Sequence, residues 1–132
     1  MQDVVTSKKL SALRQIRAAI VHFHANEFEC AITLAAAGEN QVPEGTVDYL
    51  MRLLRRRAPL EDFNLFINWL KHPSGPEKAT IFEFEVVLTI ARAIHKFVAA
   101  YAASCPEFEE FSAWATEHGH MPRLLTVRDA RI

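Results

Sequence analysis

Apolar side chains return every three to four residues along most of this chain, and prolines and capping residues cut that rhythm into six stretches. A repeat near 3.6 residues places side chains on one face of an α-helix, whereas a half-buried strand needs strict alternation. The spacing predicts a first helix over residues 7–24. There Leu10, Leu13, Ile16, Ile20 and Phe23 form one stripe, with Lys8, Lys9, Arg14 and Arg17 off it. Thr6 or Ser7 reads as its cap. Asn26 reads as the N-cap of a second helix, with Glu29 three residues on completing a capping box. Phe28, Ile32 and Ala35 make that helix's inner side, and the small residues 35–38 permit close helix contact. A third helix is predicted over 44–57, on Val47, Leu50, Met51 and Leu54. A fourth is predicted over 59–72, on Leu60, Phe63, Ile67 and Leu70, with Phe66 and Trp69 widening the stripe.

Pro73, Ser74, Gly75 and Pro76 form a firm break. Residues 80–84 alternate polar and apolar, as an extended segment would, and are too few to make a sheet alone. A long fifth helix is predicted over 85–104, its apolar surface interrupted only by Glu85, Thr89, Arg92, His95 and Lys96. Pro106 opens a sixth, with Phe108, Phe111, Trp114 and Ala115 facing the core, and Gly119 stops it. The expected fold is all-α: a single domain over 1–132, built as a bundle of five to six helices with a long central helix near the C-terminal half. Residues 7–119 form the bundle and 120–132 a tail.

Charge and cysteine usage narrow the function classes. The net charge is −1, so no whole-molecule field draws the chain to nucleic acid or an anionic membrane. The longest apolar stretch, 86–103, holds Arg92, His95 and Lys96, which argues against a membrane span. The first nine residues lack the apolar run of a signal peptide, and the two cysteines, Cys30 and Cys105, have no metal-type spacing. A reduced, cytoplasmic setting is expected. Cys105 falls at a predicted helix N-terminus, which would lower its pKa. No glycine-rich phosphate loop joins a strand to a helix, and no cofactor is expected.

Three constellations carry potential chemistry. Asn64, Asn68 and His72 recur at steps of four on the fourth predicted helix and so share a face. Two amides and an imidazole could hold a ribose or phosphate, with the imidazole as general base; the alternative is two hydrogen-bonding amides and a helix-capping histidine. Arg92 and His95, with Lys96, stand on the most apolar helix. The stripe Glu85, Thr89, Arg92, Lys96 is read as that helix's wet edge, the alternative being the lining of a cleft. Arg52, Arg55 and Arg56, with Arg57, form a basic cluster able to steer phosphate. No metal site is expected. His22 and His24 diverge by about 200° on a helix, and His118 and His120, flanking Gly119, are two ligands without a third. All four read as residues of helix C-termini, where imidazole suits the dipole.

The run Asn68-Trp-Leu-Lys-His72 resembles the Asn-x-x-x-His half of the Arg-Asn-x-x-x-His motif of HEPN domains, and "AITLAAAGENQ" at 31–41 resembles an early helix of that superfamily. A closer likeness is to small proteobacterial proteins that share an "NFFKH"-like segment, a "TLEF"-like piece and a long helix. Here these are "NWLKH" at 68–72 and "TIFEF" at 80–84. The likeness covers residues 16–101. It implies a small helical bundle, commonly dimeric, in a superfamily rich in RNases of toxin–antitoxin and phage-defence systems. Ile67 stands where the family has arginine, so this motif lacks the guanidinium fork that would face an RNA phosphate. Arg17 and His22 repeat the arginine–histidine separation without the polar neighbour. Two functions are therefore expected in competition. One is a non-catalytic helical interaction protein forming a homodimer. The other is an HEPN-like RNA-directed nuclease or nucleic-acid-binding protein using Asn64, Asn68 and His72.

Overall fold

A computed structural model describes residues 2–43 and 65–120. The five helices among them are α1 (Lys8–His24), α2 (Phe28–Gln41), α3 (Leu65–Lys71), α4 (Glu83–Tyr101) and α5 (Pro106–Glu117), and no strand occurs among the described residues. The chain is all-α, as the spacing predicts. The third predicted helix and the first half of the fourth lie outside the described residues.

Ser7 caps α1, its hydroxyl accepting from the Leu10 amide at 3.0 Å. The inward stripe of α1 is the expected one, with Ile16, Ile20 and Phe23 buried and Leu10 and Leu13 partly so. The end of α1 overturns one expectation. Asn26 does not start α2; it stops α1. Its φ is +63°, in the left-handed region, and the amides of Asn26 and Glu27 return to the carbonyls of Phe23 (3.0 Å) and His22 (2.9 Å). This is the paired hydrogen bonding of a Schellman motif, in which asparagine is the residue other than glycine that best tolerates left-handed backbone. No capping box forms, and Glu27 precedes α2 without a side-chain cap. With three residues between them, α1 and α2 fold back as a helical hairpin.

The hairpin closes on small residues. Ala12, Ala19 and Ile16 of α1 and Ala31, Ile32 and Ala35 of α2 are fully buried. A Cβ added at Gly38 would come within 2.8 Å of Ile16 Cγ1 and 3.3 Å of the Ala12 carbonyl. The backbones therefore approach more closely there than any side chain allows.

α4 lies against this hairpin, with 12 of its 19 residues buried. Val86, Val87, Ile90, Ala93, Ile94, Phe97 and Val98 are at most 2% exposed, and burying each large apolar side chain stabilises by about 1.5–3 kcal/mol. The helix starts at Glu83, so Glu83 and Phe84 belong to it and not to an extended segment. It ends at Ala102, which takes a left-handed φ of +51°. α5 closes the core with Phe108, Phe111 and Ala115. In α3, Phe66 and Ile67 are buried, but Leu70, expected on the inner face, is 38% exposed. No helix among the described residues is long and apolar enough to cross a membrane.

Candidate functional site

Glu85, Thr89, Arg92 and Lys96 follow one another at steps of four, three and four, so they share one face of α4. The expectation of a wet edge is overturned, because Glu85, Thr89 and Lys96 are buried and the Arg92 side chain is only 12% exposed. Desolvated charge is tolerated only where it is paired and hydrogen-bonded. The partner is Glu39, in the last turn of α2. Arg92 Nε donates to Glu39 Oε2 at 2.7 Å, and Lys96 Nζ donates to the Glu39 backbone carbonyl at 3.0 Å.

The chemistry of helix ends explains this choice. The last four carbonyls of a helix lack partners within it and carry partial negative charge. α2 has no basic residue in its own last turn, so α4 supplies two cations from outside. The same face serves a second helix with the opposite sign. Glu85 Oε2 accepts from the backbone amide of Phe66, the second residue of α3, at 2.8 Å. Thr89 is satisfied within α4, its hydroxyl donating to the Glu85 carbonyl at 2.9 Å. The seam thus offers cations to one helix C-terminus and a carboxylate to another helix's amide, and the charges of Arg92, Lys96, Glu39 and Glu85 balance. His95, on the same helix, is 5% exposed, and burial pushes its imidazole pKa below the ordinary value, favouring the neutral ring.

Two residues of the expected catalytic face lie among the described residues. Asn68 is exposed on α3, and His72 is exposed one residue beyond the helix's end. Ile67, beside Asn68, is buried. Asn64, Arg52, Arg55 and Arg56 lie outside the described residues. Arg17 and His22, which repeat the arginine–histidine separation, are drawn to different partners: Arg17 to Glu107 of α5 at 2.8 Å and His22 Nδ1 to Glu27 at 2.8 Å.

Cys105 also departs from expectation. It is the N-cap of α5, and the Phe108 amide does favour its thiolate, but burial outweighs that and raises the pKa. Glu107, in the first turn of α5, is held below the usual carboxyl range by its own backbone amide, with the Cys105 thiol and Arg17 adding to the effect.

Among the described residues, no three histidine, cysteine, aspartate or glutamate side chains gather closely enough to hold a metal ion. A broad, open groove of about 410 Å³ is lined by His22, Glu29, Cys30, Thr33, Leu34 and Leu70, from the end of α1, from α2 and from α3. Sequence reasoning missed two features. One is Glu39 as the partner of α4; the available signal was an α2 whose last turn has no basic residue of its own. The other is the gathering of His24, His118 and His120 around Trp114. No protein-family model matches the chain, and neither a curated protein nor a solved structure matches it.

Proposed function

We propose that the chain is a non-catalytic helical interaction protein that works as a homodimer. Its whole length forms one HEPN-like domain, a bundle of five to six helices with α4 as the long central member. The observation that carries this reading is the open groove beside Leu70. A leucine expected in the core instead faces solvent at 38% exposure, lining the groove with the half-buried Leu34 and the exposed Cys30. A groove presenting an exposed leucine beside other apolar lining suits a protein partner, and a second copy meeting the same face gives a closed two-fold assembly. The polar seam supports the reading from the other side, since Arg92 and Lys96 are committed to the end of α2. The free thiols of Cys30 and Cys105 fit a reducing, cytoplasmic setting.

Light scattering at high protein concentration is the test. A dimer is expected, with Leu70→Asp weakening it by at least about tenfold, as loss of an interface anchor does. A monomeric wild type overturns the reading.

The second reading is an HEPN-like, RNA-directed nuclease or nucleic-acid-binding protein; it gains if Asn68 and His72, both exposed in the single chain, point into a two-fold cleft lined by arginines. An RNA-cleavage assay of wild type beside His72→Ala separates the two readings. Cleavage lost in the variant supports the nuclease; equal inactivity of both proteins on varied RNAs rejects it.

A further inference from the structure

The end of α5 gathers three imidazoles around one indole. Trp114 lies 4.4 Å from the ring of His118 and 5.7 Å from that of His120, both near-parallel to it at 23° and 24°. His24, from the last turn of α1, meets the indole edge-to-face at 5.5 Å. Backbone geometry builds this cluster. Gly119 takes a φ of +76°, and the amides of Gly119 and His120 return to the carbonyls of Thr116 (3.1 Å) and Ala115 (2.9 Å). That Schellman motif folds the residue after the glycine back onto the helix's last turn, where an apolar contact is usual. Here the contact is an imidazole on an indole. The same His120 ring stacks on Phe84 at 6.2 Å, and its Nε2 lies 3.6 Å from Oε2 of Glu83, the first residue of α4.

We propose that His118 and His120 form a proton-operated latch that clasps the end of α5 onto Trp114 and onto the start of α4, and that acid closes it. Histidine is the side chain whose ordinary titration falls between pH 5 and 8. When His120 takes up a proton, its contact with Glu83 becomes an ion pair. When either ring is protonated over the indole, a cation–π attraction is added to the stacking. His118 gains a third term. Its Nδ1 is 2.8 Å from the Trp114 carbonyl, at the negative end of α5. Among the described residues, the titratable groups in contact with the cluster are His24 from α1 and Glu83 from α4, and Glu117 precedes His118 on α5. The His22–Glu27 pair stands beyond His24 at the end of α1.

The chain has two tryptophans, Trp69 and Trp114. Trp69→Phe therefore makes Trp114 the sole emitter in the full-length protein. Its emission is expected to fall reversibly between pH 8 and 5. His118→Gln with His120→Gln, in the same background and with unchanged helical circular dichroism, is expected to remove most of that fall. In the wild-type protein, amide exchange at His120, corrected for the intrinsic chemical rate, is expected to slow about two- to fivefold on passing from pH 7.5 to 5.5, the factor one exposed cation–π contact supplies. A His120 amide whose protection is unchanged or lower in acid overturns the latch. So does an emission change that survives the double substitution. The exchange measurement needs no variant, so a misfolded double mutant leaves the proposal open to refutation.

Discussion

The seam on α4 and the end of α3 hold similar side chains in opposite circumstances. On α4, Lys96 is buried, the Arg92 side chain is nearly so, and both are bound to Glu39. On and just after α3, Asn68 and His72 face solvent. A buried charge persists only while its partner stays, so the seam's residues are bound to the architecture. An exposed amide or imidazole owes the fold little and is available for chemistry or contact. Polarity on a helix says nothing about its use until burial and partner are known.

Arg92→Ala strands the Glu39 carboxylate, and urea unfolding is expected to show a loss of about 3 kcal/mol. Arg92→Met with Glu39→Leu is expected to recover most of it, since removing both charges removes the desolvation cost as well. A single-mutant loss below about 0.5 kcal/mol, the range of an ordinary surface change, would erase the distinction between the two regions. Next in size is Glu85→Ala. It leaves the buried Phe66 amide without its acceptor, and a loss of about 1–3 kcal/mol is expected in the same unfolding measurement.

His95 makes the buried side of the molecule sensitive to acid. Burial lowers this group's pKa in the folded state, so the unfolded chain takes up the proton first. Stability then falls as pH drops below about 6.5, with a slope of at most about 1.4 kcal/mol per pH unit for one proton. His95→Leu is expected to flatten that part of the stability–pH curve. The smallest effects belong to the exposed end: Asn68→Ala and His72→Ala are each expected within about ±0.5 kcal/mol of wild type in thermal or urea unfolding.

What the sequence made legible was whatever depends on neighbours three or four residues away. The stripe Ile16, Ile20, Phe23, the small-residue contact at Ala35 and Gly38, and the buried Phe108 and Phe111 all follow from local spacing. Asn26 was misread because asparagine serves equally as the first residue of one helix and the left-handed last residue of another. Only the hydrogen bonds from Asn26 and Glu27 back to Phe23 and His22 decide between them. The seam was misread as a wet edge because its partner stands 53 residues away, and no periodicity carries that distance. Leu70 matched the spacing of Ile67 yet faces outward.

Lys96 and Glu39 are 57 residues apart, and this separation sets an order of events in folding. The last turn of α2 acquires its outside donor only when α4 has docked, so its carbonyls stay hydrated until late in the folding reaction. During synthesis, that turn must await the emergence of α4 from the ribosome. Loop closure over such a span is a slow, non-local step compared with winding a helix. Substitutions at Lys96 should therefore act chiefly on the rate of unfolding, leaving the rate of folding almost untouched.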